Sequence, residues 1–147
     1  MKIVFVSVGK KHEKHLQDAI EDYTKRIGKY MQVDWKIIPV STLGKETKDI
    51  LKFVEHSDYV VALDEHGKEL STTGLAQFLE KRMIAADRRV VFIIGGAYGL
   101  DDAVRERANF VWSLSPLTFP HQLVRVLLAE SVYRAFSVIK KEPYHHA

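Results

Sequence analysis

The stretch RVVFIIGGAYGLDDAVRER, residues 89–107, constrains the fold more than any other part of the chain. Its first six residues are mainly β-branched or aromatic, which predicts a strand that is buried on both faces. Glycines end this strand in a tight turn, and residues 102–107 predict a short helix. A strand, a turn and a helix in this order are typical of one unit of a parallel α/β sheet.

The same alternation extends from this unit to both ends of the chain. The expected strands are 2–8, 33–40, 59–63, 89–94 and 110–114, and the expected helices are 12–27, 45–55, 71–86, 102–107 and 121–140. We therefore predict a single domain over residues 1–147, of the α/β class, with a mostly parallel sheet and helices on both faces. Ligands bind such sheets beyond the carboxyl ends of the strands. Those ends are Gly9, Leu63–Glu65, Gly95–Gly96 and Leu114–Phe119.

The composition excludes several classes of protein. The chain has 147 residues, of which 46% are hydrophobic and 28% charged, and this balance is not that of a disordered chain. Cysteine is absent, which excludes disulfides, thiolate zinc sites and cysteine nucleophiles. We expect no membrane segment, no signal peptide and a cytoplasmic location. The seven histidines form no spaced ligand set with a carboxylate, so we expect no metal.

The last helix is apolar around almost its whole circumference, with Leu123, Val126, Leu127, Val132 and Phe136 among the residues responsible. A helix of this kind is buried on more than one side. One side is expected to pack on the sheet of the same chain. The other side packs either on a second copy, in a homodimer, or on a neighbouring helix of the same chain.

The motifs for phosphate binding and acyl transfer are missing. Neither a P-loop nor the G-x-G-x-x-G fingerprint of dinucleotide-binding proteins occurs, and no serine stands in a G-x-S-x-G elbow. Asp64 and Glu65 follow a buried strand, where they fit an acid–base role or a polar strand exit equally well. The net charge of +3 suits a polyanion without requiring one. Lys10, Lys11, Lys14, Arg125, Arg134, Lys140 and Lys141 form either an RNA-facing patch or ordinary solvated faces.

Several segments together resemble one family. They are MKIVFVSVGK (1–10), LDEHGKELSTTGLAQFL (63–79), FIIGGAYGL (92–100), LSPLTFPHQLVRVLLAESVYRAF (114–136) and PYHH (143–146), in the family's order. The chain is similar to the ribosomal RNA large subunit methyltransferase H family, of the SPOUT class. This resemblance implies a C-terminal trefoil knot, S-adenosylmethionine as cofactor and a homodimer. It also implies methyl transfer to N3 of a pseudouridine in large-subunit (23S) ribosomal RNA, on the assembled ribosome.

The resemblance also implies roles for individual residues. The cofactor would contact Leu63, Gly95, Leu114, Ser115, Pro116, Leu117, Thr118 and Phe119, with leucine and phenylalanine side chains enclosing the adenine. Two departures stand out: the loop near 41–48 is shorter than in many relatives, and His146 replaces what is more often arginine or lysine.

Two hypotheses concern the acceptor side of the site. Tyr144 and His145, on the tail that follows the last helix, would reach the partner subunit's site as catalytic residues. Arg125 and His146 would contact RNA; alternatively, Arg125 binds the cofactor carboxylate or forms a buried ion pair with Glu130. Thr118 is also a candidate cap of the last helix.

Two other functions stay open at this point. One is an RNA- or ribosome-binding protein of the same fold that has lost transfer activity. The other is a nucleotide-binding α/β protein that acts on a small molecule.

Overall fold

The computed structural model describes residues 1–146, in which five strands and five helices alternate. In chain order they are β1 (Lys2–Val8), α1 (Lys14–Ile27), β2 (Gln32–Ile38), α2 (Leu43–Phe53), β3 (Tyr59–Glu69), α3 (Thr72–Ile84), β4 (Arg89–Ile94), α4 (Asp102–Arg107), β5 (Phe110–Ser113) and α5 (His121–Ile139). The sheet order is β2-β1-β4-β3-β5, and every neighbouring pair of these strands is parallel. The predicted α/β class and parallel sheet are confirmed.

Successive residues of each strand supply two separate core layers, because side chains alternate between the faces of a sheet. Ile3 and Phe5 of β1 pack in one layer, together with side chains of α1, α3 and α5. Val4 and Val6 of the same strand pack in the other layer, with side chains of α2 and α4. Both faces of the sheet are therefore covered, as the nearly unbroken apolar strands predict.

The long helix α5 lies between α1 and α3 on the first face of the sheet. Leu128, Val132 and Phe136 are fully buried there. Burial between α1 and α3 explains much of the apolar character around α5, as expected if neighbouring helices of the same chain cover it. Leu123, Val126 and Leu127 are only partly buried, which leaves apolar surface on the outer side of α5. The homodimer stays a prediction.

Strand β3 runs six residues beyond its predicted end. Leu63 and Lys68 both pair with Trp112 of β5, so residues 64–67 bulge out of the ladder between them. At Gly67 a Cβ atom would lie 2.6 Å from the carbonyl oxygen of Val111, which explains why a glycine stands there. The polar sequence DEHG resembles a turn, and pairing with β5 is what extends the strand past it.

Helix α2 begins at Leu43, two residues before its expected start. Thr42 is its N-cap, and the Thr42 hydroxyl accepts a hydrogen bond from the backbone N–H of Lys45 at 3.2 Å. The cap draws Gly44 into the first turn of the helix, where the sequence suggests a loop. Strand β2 ends at Ile38, two residues before its expected end, and it lies at the sheet edge, where the following Pro39 leaves no strand hydrogen bond unmade.

Candidate active site

A cavity of about 940 Å³ opens at the carboxyl ends of β3, β4 and β5. Its walls are the bulge of β3, the turn after β4, the loop between β5 and α5, and the first residues of α5. Seven of the eight residues that the resemblance assigns to the cofactor line it: Leu63, Gly95, Leu114, Ser115, Leu117, Thr118 and Phe119. Pro116 is not among the lining residues. The volume lies within the range of small-molecule sites.

The turn after β4 forms a wall of the cavity from backbone. Gly96 and Gly99 pair in an antiparallel bridge, in which the Gly99 N–H donates to the Gly96 carbonyl oxygen at 3.0 Å. Gly99 has φ +72°, in the region that favours glycine. A Cβ atom on Gly95 would lie 2.6 Å from the carbonyl carbon and oxygen of Gly99. The tight form of this turn therefore requires glycine at both positions.

Hydrogen bonds hold the loop between β5 and α5 in shape. The Ser113 hydroxyl donates to the Ser115 carbonyl oxygen at 2.9 Å, and the Leu117 N–H donates to the Ser115 hydroxyl at 3.1 Å. The Thr118 hydroxyl donates to the Glu65 carboxylate at 2.7 Å, which ties this loop to the bulge of β3. Two walls of the cavity are thus joined by a direct side-chain contact.

The prediction that Thr118 caps α5 is wrong. Pro120 occupies the N-cap position with an extended ψ of 136°, and no side chain makes a cap hydrogen bond. Thr118 lies two residues further from the helix, and its hydroxyl bonds to Glu65 instead.

Carboxylates give the cavity a negative side near the β3 bulge. Burial acts to raise the pKa of Asp64, but hydrogen bonds from His66 and the charge of Arg105 outweigh it, so this pKa lies below its ordinary value. Asp64 is therefore ionised at neutral pH. Arg105 donates to Asp64 at 3.1 Å and to the Leu100 carbonyl oxygen at 2.6 Å. No sequence pattern pointed to Arg105, because its position depends on how α4 packs against β3.

Two large apolar side chains stand exposed beside the cavity. Tyr98, in the turn after β4, is 77% exposed, and Leu117, in the loop before α5, is 68% exposed. Both line the cavity.

Arg125 is fully buried beneath the loop that follows β1. It donates through Nε to the Ser7 hydroxyl at 2.8 Å and through Nη1 to His12 Nδ1 at 3.1 Å, while Nη2 has no hydrogen-bond partner within residues 1–146. The alternative in which Arg125 forms an ion pair with Glu130 is wrong, because Glu130 pairs with Arg134 at 2.6 Å. The burial of Arg125 also argues against the expectation that it contacts an RNA phosphate directly.

Protonation of His12 is expected to destabilise the protein. Burial and the neighbouring Arg125 lower the pKa of His12 below 6.5, although Glu21 opposes them. Below pH 6.5 the unfolded chain therefore binds a proton that the folded chain resists, and the free energy of unfolding falls as pH falls through this window. In His12→Asn the amide oxygen replaces Nδ1 as acceptor, so denaturant titrations from pH 7.5 to 5 should show a shallower decline than in the wild type. Parallel curves for the two proteins would contradict this assignment.

The tail after α5 packs against its own chain. The Tyr144 ring lies edge-on to Tyr133, with centroids 4.6 Å apart, and the Tyr144 hydroxyl donates to Glu130 at 3.3 Å. The guanidinium of Arg134 covers the Tyr144 ring and lies 3.2 Å from His145 Nδ1. Burial, a hydrogen bond with Tyr23 and the charge of Glu130 raise the pKa of Tyr144.

The position of the tail separates Tyr144 and His145 from the cavity of their own chain. Their contacts lie at residues 130–134, whereas α5 meets the cavity at His121 and Val124. At 1.5 Å per helical residue, these contacts lie roughly 9–15 Å along α5 from Val124, the nearer of the two cavity residues. His146 is exposed beyond them.

The described part of the chain, residues 1–146, contains no group of three or more His, Cys, Asp or Glu side chains that could hold a metal ion. Over the same residues, no helix is both long enough and apolar enough to cross a membrane.

Comparison with known proteins gives one consistent family. The family model described as "Predicted SPOUT methyltransferase" matches residues 1–145. A protein of Christiangramia forsetii named "Ribosomal RNA large subunit methyltransferase H" is 40% identical, over 99% of each chain. A protein of Methanococcus vannielii named "Putative ribosomal RNA large subunit methyltransferase H" is 41% identical, also over 99% of each chain.

Among solved structures, the tRNA (m1G37) methyltransferase of Aquifex aeolicus superposes with a TM-score of 0.57, covering all of this chain and 76% of that one. A probable methyltransferase of Bordetella pertussis Tohama I gives a TM-score of 0.54 and covers 90% of this chain and 95% of that one. At 15% and 13% sequence identity these likenesses show the fold alone.

Proposed function

This chain belongs to the SPOUT methyltransferase family, and from that premise we propose that it methylates N3 of a pseudouridine in large-subunit (23S) ribosomal RNA. The methyl donor is S-adenosylmethionine, and the substrate is the assembled ribosome. One observation carries the proposal: the glycine turn and the 114–119 loop enclose one cavity in a chain 40% identical, end to end, to proteins named for this activity. We expect residues 1–147 to act as one domain, in the cytoplasm, where ribosomes are found.

The cavity suits the chemistry of S-adenosylmethionine. Leu63, Leu114 and Leu117 supply apolar walls for an adenine, and the glycine turn leaves backbone accessible where a Cβ atom would intrude. Asp64 and Glu65 supply negative charge that suits the positive sulfonium and amino groups. The cofactor carries no phosphate, so the missing phosphate-binding motifs are no obstacle. When bound it supplies an electrophilic methyl carbon, and these residues hold it in position.

Removal of a proton from the acceptor places a further demand on the site. The N3 proton of the base must leave, which needs a nearby base or a positive field around the developing anion. We assign this role to Tyr144 and His145 of a second copy, since their contacts at residues 130–134 lie roughly 9–15 Å along α5 from Val124, the nearest residue of α5 on their own cavity. An antiparallel arrangement of two α5 helices brings each tail towards the other chain's cavity, and the apolar residues Leu123 and Leu127 supply surface for that contact.

We also propose that the segment between β5 and α5 forms the trefoil knot. Strand β5 lies at one edge of the sheet, beyond β3, whereas α5 begins near Gly9 at the end of β1. Residues 114–120 therefore cross the ends of β3 and β4, where the glycine turn after β4 also lies. This crossing supports threading of the C-terminal segment through the β4 turn.

The contact between Thr118 and Glu65 should contribute to cofactor affinity. In Thr118→Val the loop keeps its shape but loses its hydrogen bond to the β3 bulge, which is worth about 0.5–1.5 kcal/mol. We expect the dissociation constant for S-adenosylmethionine, measured by calorimetry, to rise by about 2- to 12-fold. Thr73→Val is the matched control, because its hydroxyl also bonds an exposed partner, Ser71, but on α3 away from the cavity. Equal affinities in both variants and the wild type would refute this role for Thr118.

The proposed reaction is tested directly with ribosomes from cells that lack this protein. Purified protein and tritiated S-adenosylmethionine are incubated with 70S particles, with isolated large subunits or with protein-free ribosomal RNA. We expect label in the large-subunit RNA of 70S particles, and much less with protein-free RNA. No transfer to any of the three would overturn the proposal, and binding without transfer would favour an RNA-binding protein.

A further inference from the structure

Positive charge is distributed unequally around the cavity. On the side of the β3 bulge, Arg105 is paired with Asp64 and Asp102. On the side of β1, the buried guanidinium of Arg125 has no carboxylate within ion-pair distance in residues 1–146. Its Nη2 atom points at Gly9, since a Cβ there would lie 3.3 Å away. A buried charge that no carboxylate contacts projects much of its positive potential to the surface above it.

The loop above Arg125, residues 9–13, is held in a fixed form and is called the β1 loop below. Gln122 of α5 holds it twice, donating to the Lys11 carbonyl oxygen at 3.2 Å and accepting from the Glu13 N–H at 3.1 Å. At its start, the Gly9 N–H donates to the Ile38 carbonyl oxygen at 2.9 Å. The exposed side chains of Lys10 and Lys11 are therefore displayed from an ordered backbone.

The β1 loop adjoins the cavity directly. A Cβ atom on Gly9 would lie 3.5 Å from Nε2 of His121, and His121 lines the cavity. The loop's one carboxylate, Glu13, lies 3.3 Å from Nε2 of His15. Because the pKa of His12 is lowered, that ring adds no charge at neutral pH. Lys10, Lys11 and Arg125 therefore place three positive charges beside the cavity against the single negative charge of Glu13, and the net positive potential attracts an anion.

We infer that the β1 loop is a binding surface for RNA phosphates, where Lys10 and Lys11 hold the substrate backbone next to the cavity. Arg125 acts from beneath by its charge, without touching the RNA. This inference rests on the proposed function and adds to it the side from which the RNA strand reaches the site. A ribosomal RNA acceptor carries one phosphate per nucleotide, so the nucleotides that flank the target base bring anions to this position.

The double variant Lys10→Ala/Lys11→Ala tests the inference. Lys45→Ala/Lys48→Ala is the matched control, because it removes the same charge from exposed positions on α2, on the other face of the sheet. Co-sedimentation with 70S ribosomes from cells lacking the protein is measured over a range of salt concentrations. We expect the β1-loop variant to bind about 10-fold more weakly at low salt, and its log–log salt slope to fall by roughly 1–2. KM for ribosomes should rise, while affinity for S-adenosylmethionine stays unchanged.

The outcomes separate this inference from the proposed function. If both double variants bind 70S ribosomes equally well and with equal salt slopes, the β1 loop has no role in binding RNA. Normal methylation of ribosomes by both variants would leave the proposed function intact. A β1-loop variant with weakened affinity for S-adenosylmethionine and normal ribosome binding would also overturn it. If the wild type binds ribosomes but transfers no methyl group, the proposed function fails, and the salt slopes still decide whether the loop holds RNA.

Discussion

Gly95→Ala abolishes methyl transfer, with an expected loss of at least about 100-fold, because a misplacement of about 1 Å at a reacting centre has an effect of that size. The new Cβ atom would lie 2.6 Å from the carbonyl carbon and oxygen of Gly99. Both are backbone atoms, so the turn must open, and the wall that faces the cofactor moves with it. Calorimetry with S-adenosylmethionine and the 70S transfer assay measure the two consequences separately.

The control for this change is Gly44→Ala. Gly44 lies in the first turn of α2, and nothing lies within 4 Å of its added Cβ atom. We expect full activity and a gain in the free energy of unfolding of no more than about 1 kcal/mol. Near-normal cofactor affinity in Gly95→Ala would show that the glycine turn is not the cofactor wall.

A mixed dimer of two inactive chains is expected to recover activity. One chain carries Gly95→Ala, and the other carries Tyr144→Ala with His145→Ala. Each homodimer lacks one half of every site and loses about 100-fold in activity. In the mixed dimer, the tail of the first chain and the cavity of the second form one complete site. The expected activity is therefore about half that of the wild-type dimer, measured on heterodimers purified through two different tags.

The same experiment excludes a site made within one chain. If each tail served its own cavity, neither chain of the mixed dimer would hold a complete site, and the heterodimer would stay inactive. A dimer of one wild-type chain and one Gly95→Ala chain is the positive control, and it should also retain about half of the activity. If the mixed dimer is inactive while the positive control is active, the partner's tail does not take part in catalysis. A wild-type protein that is monomeric in analytical ultracentrifugation would contradict it as well.

The arrangement of strands could be predicted from sequence because burial on both faces is a local signal. The run at 89–94 and the glycines after it specify a strand, its end and the side of the sheet where ligands bind. Seven of the eight residues assigned to the cofactor meet there because the carboxyl ends of parallel strands share one edge. Resemblance supplied the identity of the ligand, since no periodicity in the chain specifies it.

The features that sequence analysis missed depend on contacts between distant residues. The bulge at 64–67 exists because two residues of β3 pair with Trp112, and the segment itself is polar enough to resemble a turn. One alternative for Arg125 was an ion pair with Glu130 on its own helix, but Arg125 bonds to Ser7, 118 residues away in sequence. Helical spacing gives no information about a partner on β1.

Mass spectrometry of ribosomal RNA nucleosides tests the central claim most directly. Large-subunit RNA is isolated from cells with the protein, from cells lacking it, and from the latter after re-expression of the wild type or of Gly95→Ala. We predict that N3-methylated pseudouridine is present in the first sample, absent in the second, restored by the wild type and not restored by Gly95→Ala. The same amount of this nucleoside in cells with and without the protein would contradict the proposed function.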